Sequence, residues 1–244
     1  MKTRFSFSLA TILLLSFSTL LGQTDSLSRV DEDEADFRMS LGISGGLSLV
    51  NPSQVNDQLA FVNNSLDVGM EKIRTIQQYA AFMRIKPRMA PYLLMRIEAL
   101  TVSRSFNYYG IGRSPSNNPT GTFRTSSTTR WTVYPLIVGI GTTLPKTPVE
   151  AEVGAMYALG YITEEGSTEG SGSFTNTSSG DGFGIQGRVA PHFRFSKNVA
   201  FAFEVSYRVL IIKNYSDDFG RQVKDFEFYL NGLSLSLGAT YTFD

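Results

Sequence analysis

Apolar and polar residues alternate strictly over the C-terminal segment, residues 233–243. One face of this segment holds Leu233, Leu235, Leu237, Ala239, Tyr241 and Phe243. The other face holds only Ser, Gly and Thr, so the period of two predicts a β-strand with one apolar and one small polar face. Residues 37–49 repeat the pattern, with mainly Ser and Gly between Phe37, Met39, Leu41, Ile43, Leu47 and Leu49. Two matching strands at opposite ends of the chain indicate a sheet that closes on itself.

Six further segments alternate in the same way, which gives eight predicted strands. They span about residues 77–86, 92–103, 130–144, 149–161, 183–195 and 199–211. Short turns at 87–91, 144–148 and 196–198 alternate with long polar connections at 51–76, 105–129, 163–182 and 213–225. This arrangement predicts an all-β fold, an eight-stranded antiparallel barrel built as a meander of hairpins.

The first long connection contains a helical pattern. Asn51 and Pro52 resemble an N-cap followed by proline at the first helical position. Val55, Leu59, Val62 and Leu66 follow at helical spacing. We expect this short amphipathic helix to pack on the barrel rim or the lipid surface rather than to bind a cofactor. The other long connections are rich in Ser, Thr, Gly and Asn and are predicted to be exposed loops.

Alternation alone does not decide which face of the barrel meets solvent. A soluble, lipocalin-like barrel buries its apolar face, whereas a membrane barrel turns that face to lipid. The polar faces of the two terminal strands carry hardly any Lys or Glu, which a solvated face normally has. Aromatic residues lie near the strand ends on the apolar face: Phe37, Phe195, Tyr241 and Phe243 at one end, and Tyr79, Tyr161, Phe183 and Tyr229 at the other. These girdles favour a transmembrane barrel with short periplasmic turns and long extracellular loops.

The polar faces of the central strands carry ten charged residues and the one histidine of the chain. The cations are Arg84, Lys86, Arg96, Arg188, Arg194 and Arg208, the anions are Glu98, Glu150, Glu152 and Glu204, and the histidine is His192. Because an unpaired buried charge is costly, these residues are predicted to form an Arg/Glu network across the lumen. Side chains just fill an eight-stranded barrel, which favours a plugged lumen. The alternative is the charged filter of a small-solute or ion pore.

The N-terminal region has the features of a cleaved signal peptide. A positively charged start, residues 1–4, precedes an apolar run over 5–21 and then an acidic segment. The predicted organisation is a signal peptide (1–22), an acidic periplasmic leader (23–36) and an outer-membrane β-barrel (37–244). The leader departs from a calcium-binding loop because Asp36 stands where that loop needs glycine.

Composition and residue placement argue against most chemistry. The chain has no cysteine, which excludes disulfides and thiolate sites, and its zero net charge gives no field that would attract nucleic acid. We expect no cofactor, no metal site and no enzymatic activity. A lipid-modifying outer-membrane enzyme is the weaker alternative: His192 is predicted near a periplasmic turn, away from the outer leaflet, and Ser206 alone is no catalytic motif. Loop candidates for contact with a partner or with lipopolysaccharide are Arg104, Phe106, Tyr108, Tyr109, Arg113, Phe123, Arg124 and Arg130.

Four short segments carry a family resemblance. They are Leu21-Gly22-Gln23, Tyr134-Pro135-Leu136-Ile137, Ala151-Glu152-Val153-Gly154-Ala155 and Tyr241-Thr242-Phe243. On these segments, residues 37–244 resemble the Bacteroidetes outer-membrane β-barrel family that includes PorT-like proteins. The ending Tyr241-x-Phe243 resembles the C-terminal signal read by the barrel-assembly machinery, although Asp244 follows it.

From the pattern and the resemblance we expect an outer-membrane protein with a non-enzymatic envelope role. That role is structural, in surface interaction, or as an accessory to secretion or transport. The expected partners are outer-membrane lipid and lipopolysaccharide, the barrel-assembly machinery and an envelope protein, with no nucleic acid.

Overall fold

Nine β-strands and one α-helix run through the part of the chain that the computed structural model describes, residues 37–87, 91–112, 121–145, 147–170, 172–217, 219–222 and 226–243. In chain order they are β1 (Phe37–Val50), α1 (Ser53–Leu66), β2 (Thr75–Pro87), β3 (Tyr92–Gly112), β4 (Gly121–Thr143), β5 (Val149–Thr168), β6 (Gly172–Arg194), β7 (Val199–Asp217), β8 (Phe228–Tyr229) and β9 (Gly232–Phe243). The predicted signal peptide (1–22), the acidic leader (23–36) and Asp244 lie outside the described residues.

The eight long strands form a closed antiparallel ring. Each strand pairs with the next along the chain from β1 to β7, β7 pairs with β9, and β9 pairs with β1. The closing register joins Met39 to Phe243 and Leu49 to Leu233. The predicted eight-stranded antiparallel barrel is therefore confirmed. The two-residue β8 adds a short pairing with β7 at Ile211 and Ile212.

The antiparallel connections give the barrel two different ends. The turns after β2, β4 and β6 lie at the end where β1 begins and β9 finishes, which we call the turn end. The opposite end, which we call the loop end, holds α1 and the tips of the β3–β4 and β5–β6 hairpins. No helix among the described residues is long and apolar enough to cross a membrane.

The prediction of exposed loops at 105–129 and 163–182 is wrong for most of their length, because most of these residues lie in strands. Residues 105–112 and 121–129 extend β3 and β4, and residues 163–168 and 172–182 extend β5 and β6. Hydroxyl pairs cross these ladders, such as Ser105 to Thr128 at 2.8 Å and Ser126 to Ser167 at 2.9 Å. Cross-strand hydroxyl pairs and β-branched Thr residues stabilise a strand as apolar pairs do, so a polar composition did not mark a loop. The connection predicted at 213–225 is also shorter, because β7 continues to Asp217.

The helix α1 packs inward rather than on the lipid surface. Val55 and Leu59 are buried in one apolar cluster with inward-facing residues of the barrel, including Trp131, Leu210 and Ile212. The Asn56 side chain fixes this position: its Oδ1 accepts a hydrogen bond from the backbone N–H of Ile73, and its Nδ2 donates to the Ile73 carbonyl. The expected contact with lipid is therefore wrong for the buried side of α1.

Large apolar side chains cover the outer face of the barrel and are exposed. They include Leu41, Ile43, Leu47, Tyr79, Leu93, Met95, Ile97, Leu136, Val138, Val153, Leu159, Phe183, Ile185, Val189, Phe201, Phe203, Tyr207, Leu235 and Leu237. The three most exposed of these, Ile43 (66%), Phe183 (69%) and Leu237 (70%), lie on three different strands. The apolar alternation predicted from sequence thus describes the outside of the barrel.

Candidate functional site

Eight buried charged side chains meet inside the turn-end half of the barrel, and we call them the lumen network. They are Arg84, Arg96, Arg188 and Arg208, with Glu98, Glu150, Glu152 and Glu204. Each lies at an inward position of its strand, where the small side chains of β1 and β9 leave space. Four positive and four negative charges balance within the network. All eight were candidate site residues from sequence.

The part of the network closest to the turn end is built around two carboxylates on β5. Arg84 Nη1 lies 2.9 Å from Glu150 Oε2, and Arg84 Nε lies 3.0 Å from Glu152 Oε1. Lys86 Nζ pairs with Glu150 Oε1 at 2.9 Å, and its side chain is only partly buried. The Tyr92 hydroxyl donates to Glu152 Oε1 at 2.8 Å. One guanidinium on β2 therefore bridges two carboxylates from the opposite side of the lumen.

Arg188 links this part to the centre of the lumen. Its guanidinium donates to both oxygens of Glu152 and to Oε1 of Glu204. Glu204 Oε2 accepts a further bond from Arg96 Nη2 at 2.9 Å. Charge-assisted bonds that chain from one ion pair to the next restrict every member to one rotamer.

The part of the network nearest the loop end centres on Glu98. Its Oε1 accepts from Arg96 Nε and its Oε2 from Arg208 Nη1, both at 2.7 Å. Arg208 Nη2 also donates to Gln78 Oε1 at 2.6 Å and to Ser234 Oγ at 2.9 Å. These neutral partners replace water around a guanidinium that no solvent reaches.

An aromatic ring that was not among the predicted site residues lies at the centre of this network. The Phe82 ring lies 4.4 Å from the Arg84 guanidinium carbon, 5.3 Å from that of Arg96 and 5.7 Å from that of Arg188. All three distances fall within the range of a cation–π contact. A Cβ at Gly42 would come within 2.3 Å of this ring, so glycine on β1 makes room for it. The available signal was its position, since Phe82 shares the inward face of β2 with Gln78 and Arg84.

Arg194 and His192 form no side-chain hydrogen bond or ion pair with the lumen network among the described residues. Arg194 is exposed at the last position of β6 and makes no ion pair with any other described residue. His192 is half-buried near the turn end, and its Nδ1 has no hydrogen-bond partner among the residues described. Its backbone N–H donates to the Pro148 carbonyl at 2.8 Å.

The geometry does not assemble a serine–histidine pair. Ser206 is buried and pairs in register with Arg188, whereas His192 pairs with Ala202. Four positions along the β6–β7 ladder separate the two residues, about 13 Å at ~3.3 Å per residue. A nucleophile and its base need hydrogen-bond reach of each other. Within the described residues there is also no cluster of three or more potential metal ligands.

An apolar layer lies over the lumen network at the loop end. Its buried members are Val50, Val55, Leu59, Ile73, Ile76, Leu100, Trp131, Val133, Ile137, Met156, Ala158, Leu210, Ile212, Tyr215, Phe226, Phe228 and Leu230. The interior of the barrel therefore has two layers, ionic near the turn end and apolar near the loop end. Sequence reasoning predicted the first layer and missed the second.

The loop-end candidates fall into separate environments. Arg104 donates to the backbone carbonyls of Glu71 and Lys72, so it anchors the connection that follows α1. Tyr109, Arg124 and Arg130 are exposed on the β3–β4 hairpin. Arg113 and the side chain of Phe123 lie outside the described residues.

The C-terminal aromatic residues stand on the outer face at the turn end. Tyr241 and Phe243 are exposed, and their rings meet edge to face with centroids 4.9 Å apart. Their recognition by the barrel-assembly machinery stays a prediction.

Comparison with known proteins gives only distant likenesses. No family model and no curated protein sequence matches the chain. Among solved structures, Ail of Yersinia pestis in complex with the heparin analogue sucrose octasulfate gives a TM-score of 0.40 at 10% identity, covering 86% of this chain and 100% of that one. A major outer membrane protein of Thermus thermophilus gives 0.39 at 12% identity (86% and 100%), and Neisserial surface protein A gives 0.34 at 13% (86% and 98%). Likenesses this weak do not bear on function.

Proposed function

We propose that this chain is an outer-membrane β-barrel with a closed lumen and a non-enzymatic role in the cell envelope. The observation that carries the proposal is the inverted polarity of the barrel around the lumen network. Residues such as Ile43, Phe183 and Leu237 face outward, while eight charged side chains are buried inside. A contiguous apolar surface of this extent is not stable in water, and lipid is the environment that matches it.

The height of the apolar surface supports a membrane span. At the turn end its edge carries exposed Phe195 and Tyr241, and further up it carries Tyr79, Tyr157 and Tyr207. Tyr207 stands eight residues beyond Val199, the first residue of β7. With ~3.3 Å per residue and a strand tilt of ~40°, this separation spans roughly 20 Å, close to the ~25 Å band of outer-membrane barrels. Aromatic residues at both edges fit the two membrane interfaces.

The two ends of the barrel favour one orientation. Outer-membrane barrels place short turns in the periplasm and long loops outside. The turn end would therefore face the periplasm, and the long hairpins and α1 would face the exterior. The predicted signal peptide is consistent with this route of export.

The interior supports a closed lumen. The lumen network is balanced in charge and its ion pairs cross the barrel, and the apolar layer with α1 lies over it. A hydrated ion crossing this interior would have to displace both layers. The remaining surface for interaction is the loop end, which supports a structural, surface-interaction or accessory role.

Substitution of Ile43 by Arg tests the membrane span. Near the middle of a bilayer, Arg on the lipid face costs ~2–4 kcal/mol, whereas on a water-exposed face the change stays within ~0.5 kcal/mol. Phe61→Arg is the matched control, because Phe61 is 71% exposed on α1 at the loop end. We expect a large loss of unfolding free energy for I43R alone, measured by urea titration in vesicles. Equal, small effects in both variants would contradict the membrane proposal.

Single-channel recording tests the closed lumen. The native protein should insert without a steady conductance. A steady conductance that changes when Glu150 or Arg188 is replaced by Gln, but not when exposed Glu164 is, would replace the proposal with the pore alternative.

A further inference from the structure

A cleft of about 590 Å³ opens at the loop end, where β1, β2 and β9 meet. The backbone N–H of Val50, the last residue of β1, donates to the Arg74 carbonyl at 2.9 Å, and Val50 pairs with Gly232 at the start of β9. Leu49 and Val50 form the apolar floor, and the polar lining is Asn51, Asn56, Lys72, Arg74 and Asn231. The cleft therefore joins the edge of the apolar outer face to a polar rim.

The charge of the cleft is entirely positive. Lys72 and Arg74 are both exposed, and neither forms an ion pair with a carboxylate in the described residues. The lining contains no acidic side chain. The acidic residue bonded near the start of α1, Glu227, is already paired with Lys213 at 2.6 Å. Two cations that line one cleft without a carboxylate partner favour the binding of an anion there.

Neutral donors add to this potential. Asn231 uses its Oδ1 to accept from Leu210 N–H at 3.1 Å, and its Nδ2 makes no hydrogen bond to the residues described. The helix α1 begins at Ser53 beside the cleft, without a capping side chain and without an acidic residue in its first turn. The unpaired amide groups of its first turn add positive potential at this end of the helix, which is flanked by the cleft residues Asn51 and Asn56. These donors complement the two cations rather than define a site alone.

We propose that this cleft binds the phosphate group of an anionic glycolipid or phospholipid of the outer leaflet. The proposal rests on the membrane location proposed above. Below the cleft, the outward residues Leu47, Leu49 and Leu233 are exposed and offer a surface for acyl chains. A lipid lying on that surface would place its headgroup phosphate at the level of Lys72 and Arg74. A soluble sugar phosphate has the same recognition chemistry and lacks the acyl chains.

The experiment compares lipid retention by matched double variants in nanodiscs. K72Q/R74Q removes two exposed cations from the cleft, and R124Q/R130Q removes two exposed cations at the loop end, on a strand three positions around the barrel from β1. Each protein is placed in phosphatidylcholine nanodiscs that contain a minor fraction of diphosphoryl lipid A, or of phosphatidylglycerol. Retained lipids are then counted by native mass spectrometry. Glucose 1-phosphate added to pure phosphatidylcholine nanodiscs tests the soluble source.

Removal of the cleft cations should lower retention about fivefold for each cation, roughly 25-fold for the pair, while the control retains the native level. If glucose 1-phosphate binds with the same dependence on Lys72 and Arg74 and lipid does not, the phosphate chemistry stands and the lipid source is replaced. Equal retention by all three proteins, or equal loss in both variants, would overturn the proposal that this cleft binds lipid phosphate. Failure of the native protein to enter nanodiscs would instead contradict the proposed membrane location, so the two failures are distinguishable.

Discussion

Glu98 is one of the two most deeply buried carboxylates of the lumen network, so its substitution is the sharpest test of the network. It is 1% exposed and accepts hydrogen bonds from Arg96 and Arg208, both at 2.7 Å, and from Gln78 at 3.1 Å. Glu98→Gln keeps the shape of the side chain and removes its charge. Arg96 and Arg208 would then lose the carboxylate that they share, and the lumen network would hold four positive charges and three negative ones.

The expected cost follows from burial. Removing one partner of a buried ion pair costs ~3–5 kcal/mol, because the other charge stays desolvated without compensation. A loss of about 4 kcal/mol changes the unfolding equilibrium roughly a thousandfold. The assay is urea unfolding in lipid vesicles, followed by the fluorescence of Trp131, the one tryptophan of the chain, which is buried in the apolar layer. Exposed Glu164→Gln is the matched control and should change the unfolding free energy by less than ~0.5 kcal/mol.

A double variant separates charge pairing from general damage to the core. Arg208→Met in the E98Q background restores the balance at three charges of each sign. The double variant should therefore lose less stability than the sum of the single variants, with a coupling of ~1–3 kcal/mol. A loss below ~1 kcal/mol for E98Q, or strict additivity in the cycle, would refute the view that paired charges hold the lumen.

Two further predictions concern the backbone of β6 and the pairing at the loop end. Gly182→Ala should lower the unfolding free energy by ~1–3 kcal/mol, because its Cβ would lie 1.9 Å from the Ile211 carbonyl oxygen. Gly187→Ala is the control and should be neutral, because its Cβ would meet nothing within 4 Å. Equal urea midpoints for the two variants would contradict this prediction. At the loop end, beyond the proposed membrane span, hydrogen bonds from Lys213 and then Tyr229 hold the pKa of Glu227 below its ordinary value. The stabilisation from this pairing is therefore fully present above the ordinary glutamate pKa and is lost as the pH falls through the lowered pKa of Glu227. A carbon-13 NMR titration should show the pKa of Glu227 rising in Lys213→Gln, and an unchanged midpoint would count against the pairing.

The strand count, closure and inward positions were predictable because they follow from local alternation. A period of two shows which side chains share a face of a strand. Arg84, Arg96 and Glu152 could therefore be placed inside the barrel from their alternation with the apolar residues alone. Which carboxylate each guanidinium reaches was not predictable. Arg84 bonds to residues on β5, three strands away, and that choice depends on the stagger of strands around the ring.

The helix α1 was predicted, but the surface that it covers was left open between the barrel rim and the lipid face. Its apolar stripe correctly indicated a packed face, but periodicity says nothing about the surface that a helix covers. The deciding contact is the pair of hydrogen bonds between Asn56 and the Ile73 backbone, which turns Val55 and Leu59 toward the barrel interior. A single buried asparagine in a helical pattern carries no sequence signal for that partner.

The long hairpins were missed because their strands are polar on the outer face, and the change of that face along one strand is itself informative. Near the turn end, β4 turns Leu136 and Val138 outward. Near the loop end, the same strand turns Arg130 outward and buries Trp131 and Val133. A strand has one twist and one pleat throughout, so only the surroundings change along it. Apolar residues outside and charges inside are stable in lipid, and the reverse is stable in water. The level at which the outer face of β4 changes from apolar to polar, just beyond Tyr134, therefore marks the boundary between lipid and water on this barrel under the proposed membrane location.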